Sequence, residues 1–106
     1  FYRSISGNEP VRDWLLSLSQ ADRRAIGADI QTLELGWPIG MPVCRSMKDG
    51  LYEVRTSLKS HRVSRVLFCF VDGQMVLLHG FIKKSKKTPN TELALARTRK
   101  REVDNG

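Results

Sequence analysis

The sequence predicts an α+β domain: a small antiparallel sheet with a helical hairpin before it and a single helix after it. Three observations carry this. Apolar residues recur at helical spacing from about residue 9 to 36. They then alternate, or run together, in strand-like segments from 43 to 82. Two Asp-Gly pairs, Asp49-Gly50 and Asp72-Gly73, punctuate that region where tight hairpin turns are required.

Phe1–Arg3 fits the end of a strand, and a chain that opens on Phe1 rather than Met is expected to carry a shortened first strand. Asn8 is placed to cap a first helix over about 9–18. Pro10 sits in its first turn, where the N–H it lacks would have no partner. Val11, Trp14, Leu15 and Leu18 form that helix's apolar face. Ser19 can cap a second helix, with Asp22 at the capping-box position; Ile26, Ile30 and Leu33 are its buried stripe and Gly36 ends it. Pro38 and Pro42 keep residues 37–42 in a structured loop.

Val43–Met47 reads as a short strand. Leu51–Ser57 follows the first Asp-Gly turn, with Tyr52, Val54 and Thr56 alternating against Glu53, Arg55 and Ser57. Lys59–Arg62 is a polar connection. Val63–Val71 is the strongest strand and Met75–Ile82 its antiparallel return. A basic loop, Lys83–Pro89, leads to a last helix opening at Pro89 or Asn90, with Glu92 favourable in the first turn. Leu93, Ala96, Lys100 and Val103 share one face of it, and Arg97 and Arg101 read as a paired basic ridge. With so few large apolar groups, this helix is expected to pack only partly.

The 106 residues make one domain, 1–106, able to bury one modest core, and the net charge of +7 favours acidic partners. The charge is unevenly placed. Residues 51–101 hold twelve Lys or Arg against three Asp or Glu, while residues 1–50 are balanced at six each. A basic, strand-rich half reads as a phosphate-seeking surface, which makes RNA or DNA the leading partner. Cys44 and Cys69 sit in apolar strand contexts with no CxxC pattern, so buried free thiols are expected, as suits a reducing cytosol, and no metal site. The apolar run Val66–Val71 is too short to span a bilayer.

Leu51-Tyr52-Glu53-Val54-Arg55, Arg65-Val66-Leu67-Phe68, Leu77-Leu78-His79-Gly80-Phe81-Ile82-Lys83-Lys84, and Thr88-Pro89 with Glu92, Ala96 and Arg99 together resemble the HigB-type toxins, in the phage Gp49-like branch of the RelE/ParE superfamily. The resemblance covers about residues 43–103; the hairpin before it agrees in layout. It implies a small twisted antiparallel RelE-like sheet. It further implies a type II toxin, acting as a ribosome-dependent endoribonuclease on translated mRNA in the cytoplasm. A HigA-like helix-turn-helix antitoxin would hold it in check and mediate any contact with operator DNA.

RNA can be cut by its own 2′-OH attacking the adjacent phosphate, without metal or cofactor, provided the protein moves protons and stabilises phosphoryl charge. Arginine's planar fork suits the second task. Arg65, matching the family's strand arginine, is the first candidate, read as a surface charge whose removal costs little stability; Arg55 is the second, with a Glu53 pair as its structural alternative. Lys83 and Lys84, in the family's Gly-Phe-x-Lys-Lys segment, complete the catalytic candidates. Lys59, His61, Arg62, Lys86 and Lys87 are candidates for RNA docking, and Tyr52 and Phe81 for base stacking. His79 reads as a satisfied sheet residue. Residues 88–92 hold neither tyrosine nor histidine, so the proton-transfer groups stay open. The rival readings are a gyrase-inhibiting toxin of the same superfamily, a non-enzymatic nucleic-acid-binding module, and an accessory protein whose acidic partner covers the basic face.

Overall fold

A computed structural model of the chain describes residues 1–4, 6–36, 44–83 and 88–105, with Lys83 described by its backbone. The elements follow in the order α1 (Pro10–Ser17), α2 (Gln20–Gly36), β1 (Cys44–Ser46), β2 (Tyr52–Ser57), β3 (Val63–Val71), β4 (Gln74–Lys83) and α3 (Asn90–Asn105). The strands form one antiparallel sheet in the order β1-β2-β3-β4, sandwiched between the α1–α2 hairpin and α3. This is the RelE-like α+β architecture expected from the sequence.

Alternation along the strands sends side chains to two separate cores. On the hairpin side, Val11, Ile26, Ile30 and Leu33 pack on Cys44, Val54, Val66, Phe68 and Leu77. On the α3 side, Leu51, Leu67, Cys69, Leu78, Phe81 and Ala96 pack with Tyr2. Both sheet faces are therefore covered, which is why β3 reads as a near-continuous apolar run. Asp49-Gly50 and Asp72-Gly73 supply the turns; all four residues have positive φ, which Gly and Asp tolerate best.

α1 begins at Pro10 as expected, but Asn8 does not cap it. The N-cap is Glu9, which makes no side-chain cap, while Asn8 closes a turn with Ser4 and Ser6. Ser19 does cap the second helix: its Oγ accepts from the Asp22 N–H at 3.2 Å. The Asp22 carboxylate, largely buried, takes a two-pronged bond from Arg62, at 2.8 and 3.1 Å. The pair ties the β2–β3 connection to the start of α2. Trp14 of α1 packs against Gly80 of β4; a Cβ at Gly80 would collide with its ring carbons.

The N-terminal segment runs beside β4, where the Tyr2 N–H donates to the Leu77 carbonyl at 2.8 Å. α3 buries one side chain fully, Ala96, with Leu93 and Val103 packed alongside. Polar ties complete its docking. Arg97 donates to the Met47 carbonyl at 2.7 Å and lies near Asp49. The expected Arg97–Arg101 ridge is therefore not formed: Arg97 is a half-buried tie to the β1–β2 turn, and Arg101 bonds Thr98 of its own helix. No described helix is long and apolar enough to cross a membrane.

Candidate nucleic-acid interface

The register of the sheet determines which charged side chains meet. Arg55 on β2 lies directly opposite Arg65 on β3, which lies opposite Phe81 on β4. The next row is Glu53, Leu67 and His79, with Arg45 of β1 opposite Glu53. Both rows face α3. Residues next to each other across an antiparallel sheet interact directly, so this face gathers arginines around one carboxylate.

That carboxylate is sealed. Glu53 is 0% exposed and Arg65 1%, and they stand 3.5 Å apart. Arg55 approaches the same carboxylate through Nε at 3.9 Å and keeps 30% of its side chain exposed. Thr88, just ahead of α3, joins them: its hydroxyl donates to Glu53 and accepts from Arg65 at 3.1 Å. Burial pulls Arg65 below the ordinary arginine range, Glu53 pushes back upward, and Arg55 and Arg45 lower it further. The expectation of Arg65 as a surface charge is corrected here. Its strand alternates toward a face that α3 covers, so the guanidinium is anchored beneath the surface while Arg55 reaches solvent.

A second polar group adjoins the first. A β-bulge opposite Leu67 and Phe68 inserts Leu78 as an extra residue, with Leu67 paired to His79 and Phe68 to Leu77. The insertion turns both Leu78 and His79 toward α3. His79 Nε2 meets the Glu92 carboxylate, its ring stacks on Phe81 with centroids 5.7 Å apart, and Nδ1 lies 3.5 Å from Arg99. Arginine has donors only, so Nδ1 is the accepting nitrogen and Nε2–H is donated to Glu92. Arg99 also donates to the Leu78 carbonyl at 2.8 Å and lies 5.2 Å over the Tyr2 ring. The Tyr2 hydroxyl bonds Glu102, which holds its pKa above the ordinary phenol value.

The structure thus brings together Arg55 and Arg65, and the Lys83 backbone pairs with Val63 one row away. Phe81 lies opposite Arg65 but is buried in the α3-side core with its ring on His79, so the expected base-stacking role is not open to it. Lys59 and His61 are exposed in the turn joining β2 to β3, at that same end of the sheet. Arg62 lies in the same connection, but its guanidinium is committed to Asp22. Tyr52 is not beside the basic positions. Alternation carries it to the hairpin face, where it stacks on Phe68 at 5.7 Å. Lys84, Lys86 and Lys87 lie outside the described residues. Among the described residues, no group of three or more acidic, His or Cys side chains is placed to hold a metal ion.

Thr88, Glu92 and Arg99 carry the family motif in the sequence without an assigned place at the site; the structure joins them to the inward-facing Glu53 and His79. Thr88-Pro89 followed by Glu92 is a helix-start pattern, and it was the available signal that these groups converge at the sheet.

The family model for phage derived protein Gp49-like (DUF891) matches residues 13–101. The chain belongs to this Gp49-like family. The match runs from within α1 to within α3, so the Glu53–Arg65–Thr88 group and the His79–Glu92 pair both lie inside the Gp49-like region. No curated protein matches the chain.

Proposed function

We propose that this Gp49-like protein is the toxin of a type II toxin–antitoxin pair, a HigB-like endoribonuclease that cuts translated mRNA at the ribosome in the cytosol. One observation carries the reading: Arg55, part exposed, lies across the sheet from Arg65 and beside a sealed Glu53–Arg65 pair to which Thr88 bonds. A guanidinium held from below by a fixed counter-charge is preorganised to meet developing negative charge on a phosphoryl group. Arg55 contacts the phosphate and Arg65 acts from beneath it.

Among the described residues, two carboxylates adjoin the strand arginines and His79. Glu53 is sealed and paired with arginine; Glu92 is 23% exposed, oriented by His79, and is the one a substrate hydroxyl can reach. Glu92 accepts the 2′-OH proton in this reading, the oxygen attacks the neighbouring phosphorus, and the P–O5′ bond breaks to leave a 2′,3′-cyclic phosphate and a 5′-hydroxyl that takes its proton from water. Lys83 and Lys84 remain candidates for adding positive charge to this reaction. The neutralising partner is a HigA-like antitoxin.

The test is induction of the chain in bacterial cells with mapping of new mRNA 5′ ends, alongside Arg55→Ala. Translation-dependent cuts inside reading frames, lost in the variant, are the expected result. Growth arrest without cuts would redirect attention to gyrase, and neither arrest nor cuts would reduce the chain to a binding module.

A further inference from the structure

Arg45 is an arginine that neither the fold nor the proposed chemistry uses. It stands at the centre of β1, an edge strand of three residues, and its side chain is exposed. It makes no hydrogen bond or ion pair among the described residues. Its neighbours behave differently: Arg55 and Arg65 are gathered on Glu53, Arg62 on Asp22, Arg97 on the β1–β2 turn and Arg99 on Leu78.

Its direction is set by register. Cys44 is buried in the hairpin-side core, so Arg45 projects to the opposite, α3 side, where it pairs across to Glu53. Its charge bears on Arg65 together with that of Arg55. The balance here is three guanidiniums around one carboxylate, and Glu53 neutralises only one of them. Arg45 and Arg55 stand in diagonal positions on neighbouring strands, close enough for consecutive groups of one ligand to bridge them.

We propose that Arg45 is a further phosphate-binding residue, which holds the phosphate next to the one engaged by Arg55 on a single RNA strand laid across β1 and β2. The inference rests on the RNA reading of this face and extends it toward the sheet edge. A strand crossing in this direction places successive phosphates over Arg45 and then Arg55. Arginine suits both places because its fork can grip phosphate oxygens in pairs. Arg45 sets where the strand lies and takes no part in proton transfer.

The test uses the whole chain and a non-cleavable 2′-O-methyl RNA oligonucleotide, with binding followed by fluorescence anisotropy over a salt series. Arg45→Ala is expected to weaken binding several-fold and to flatten the slope of log K against log salt by about 0.7, the value for one phosphate contact on a single strand. Its thermal midpoint should match wild type. Arg24→Ala, an exposed arginine of α2 on the other side of the sheet, is the control and should change neither quantity. Equal losses in Arg24→Ala and Arg45→Ala would overturn the site in favour of diffuse charge. A response to Arg55→Ala but none to Arg45→Ala would overturn this inference and leave the RNA reading standing. Absence of RNA binding by the wild type would overturn the RNA reading itself. Arg45-dependent binding of polyglutamate without Arg45-dependent binding of RNA would replace RNA by an acidic protein partner.

Discussion

The Glu53 carboxylate and the Arg65 guanidinium meet at 3.5 Å with almost no exposure to solvent, one on β2 and the other two positions along on β3. Thr88 clasps both, so one contact joins the centre of the sheet to the approach of α3. The charge pair is a structural anchor as well as a part of the proposed site.

Removing either partner leaves the other charge buried. Glu53→Ala and Arg65→Ala are each expected to lose about 3–5 kcal/mol of stability, the range for breaking a buried pair. Urea titration measures it directly. A loss below about 1 kcal/mol would remove the anchor from this account. Loss of the proposed activity in Arg65→Ala would therefore report folding and chemistry together, and Arg55, part exposed, is the better probe of chemistry alone.

Glu92→Gln keeps the shape of the side chain and removes its basicity. Cleavage should fall by about 10²-fold or more, within the usual contribution of a general base. Circular dichroism should be unchanged, and full cleavage by the variant would assign proton transfer to another group.

Gly80 carries no side chain because the Trp14 ring occupies the space a Cβ would need. Gly80→Ala is expected to cost about 1–3 kcal/mol, as overpacking does. In a Trp14→Leu background the added cost should shrink, and a double-mutant cycle would read the coupling. Strictly additive losses would place the strain elsewhere.

Asp22 is held below the ordinary carboxylate value of 3.8, first by its hydrogen bonds from Arg62. A carboxylate depressed in the folded state adds stability above its unfolded pKa and loses it as pH falls through the folded value. The Asp22 contribution should therefore be whole at neutral pH and decline below about pH 4. Asp22→Asn should flatten the acid limb of stability against pH. An unchanged acid limb would show that other carboxylates set it.

Cys44 and Cys69 are both free and buried, and burial pushes both thiols above the ordinary range. Thiolate is the reactive form, so a thiol reagent such as DTNB at neutral pH should label neither in the native protein and both after denaturation. Rapid native labelling of Cys69 would mean that α3 opens readily from the sheet.

Much of the fold is written in local chemistry. Ser19, Pro10 and the two Asp-Gly turns set element boundaries through backbone geometry. Val63–Val71 and the Ile26–Ile30–Leu33 stripe declare their structure by period, and these needed no tertiary information. The basic face was legible as a charge imbalance, and Arg55 with Glu53 as neighbours of one strand parity.

Other features were decided only by packing. Arg65 carries the same charge whether it lies on a surface or under a helix; α3 and Thr88 bury it, and nothing within β3 announces them. His79 would follow Leu77 in simple alternation, but the bulge at Leu78 turns it to the other face, toward Glu92. Tyr52 lies next to Glu53 in the chain and on the opposite side of the sheet. Residue type and spacing along the chain determined the elements and the sign of the surface. Which charges are sealed, and which can meet a ligand, was decided by register and by the helix laid over the sheet, because burial depends on neighbours that the chain brings from far away.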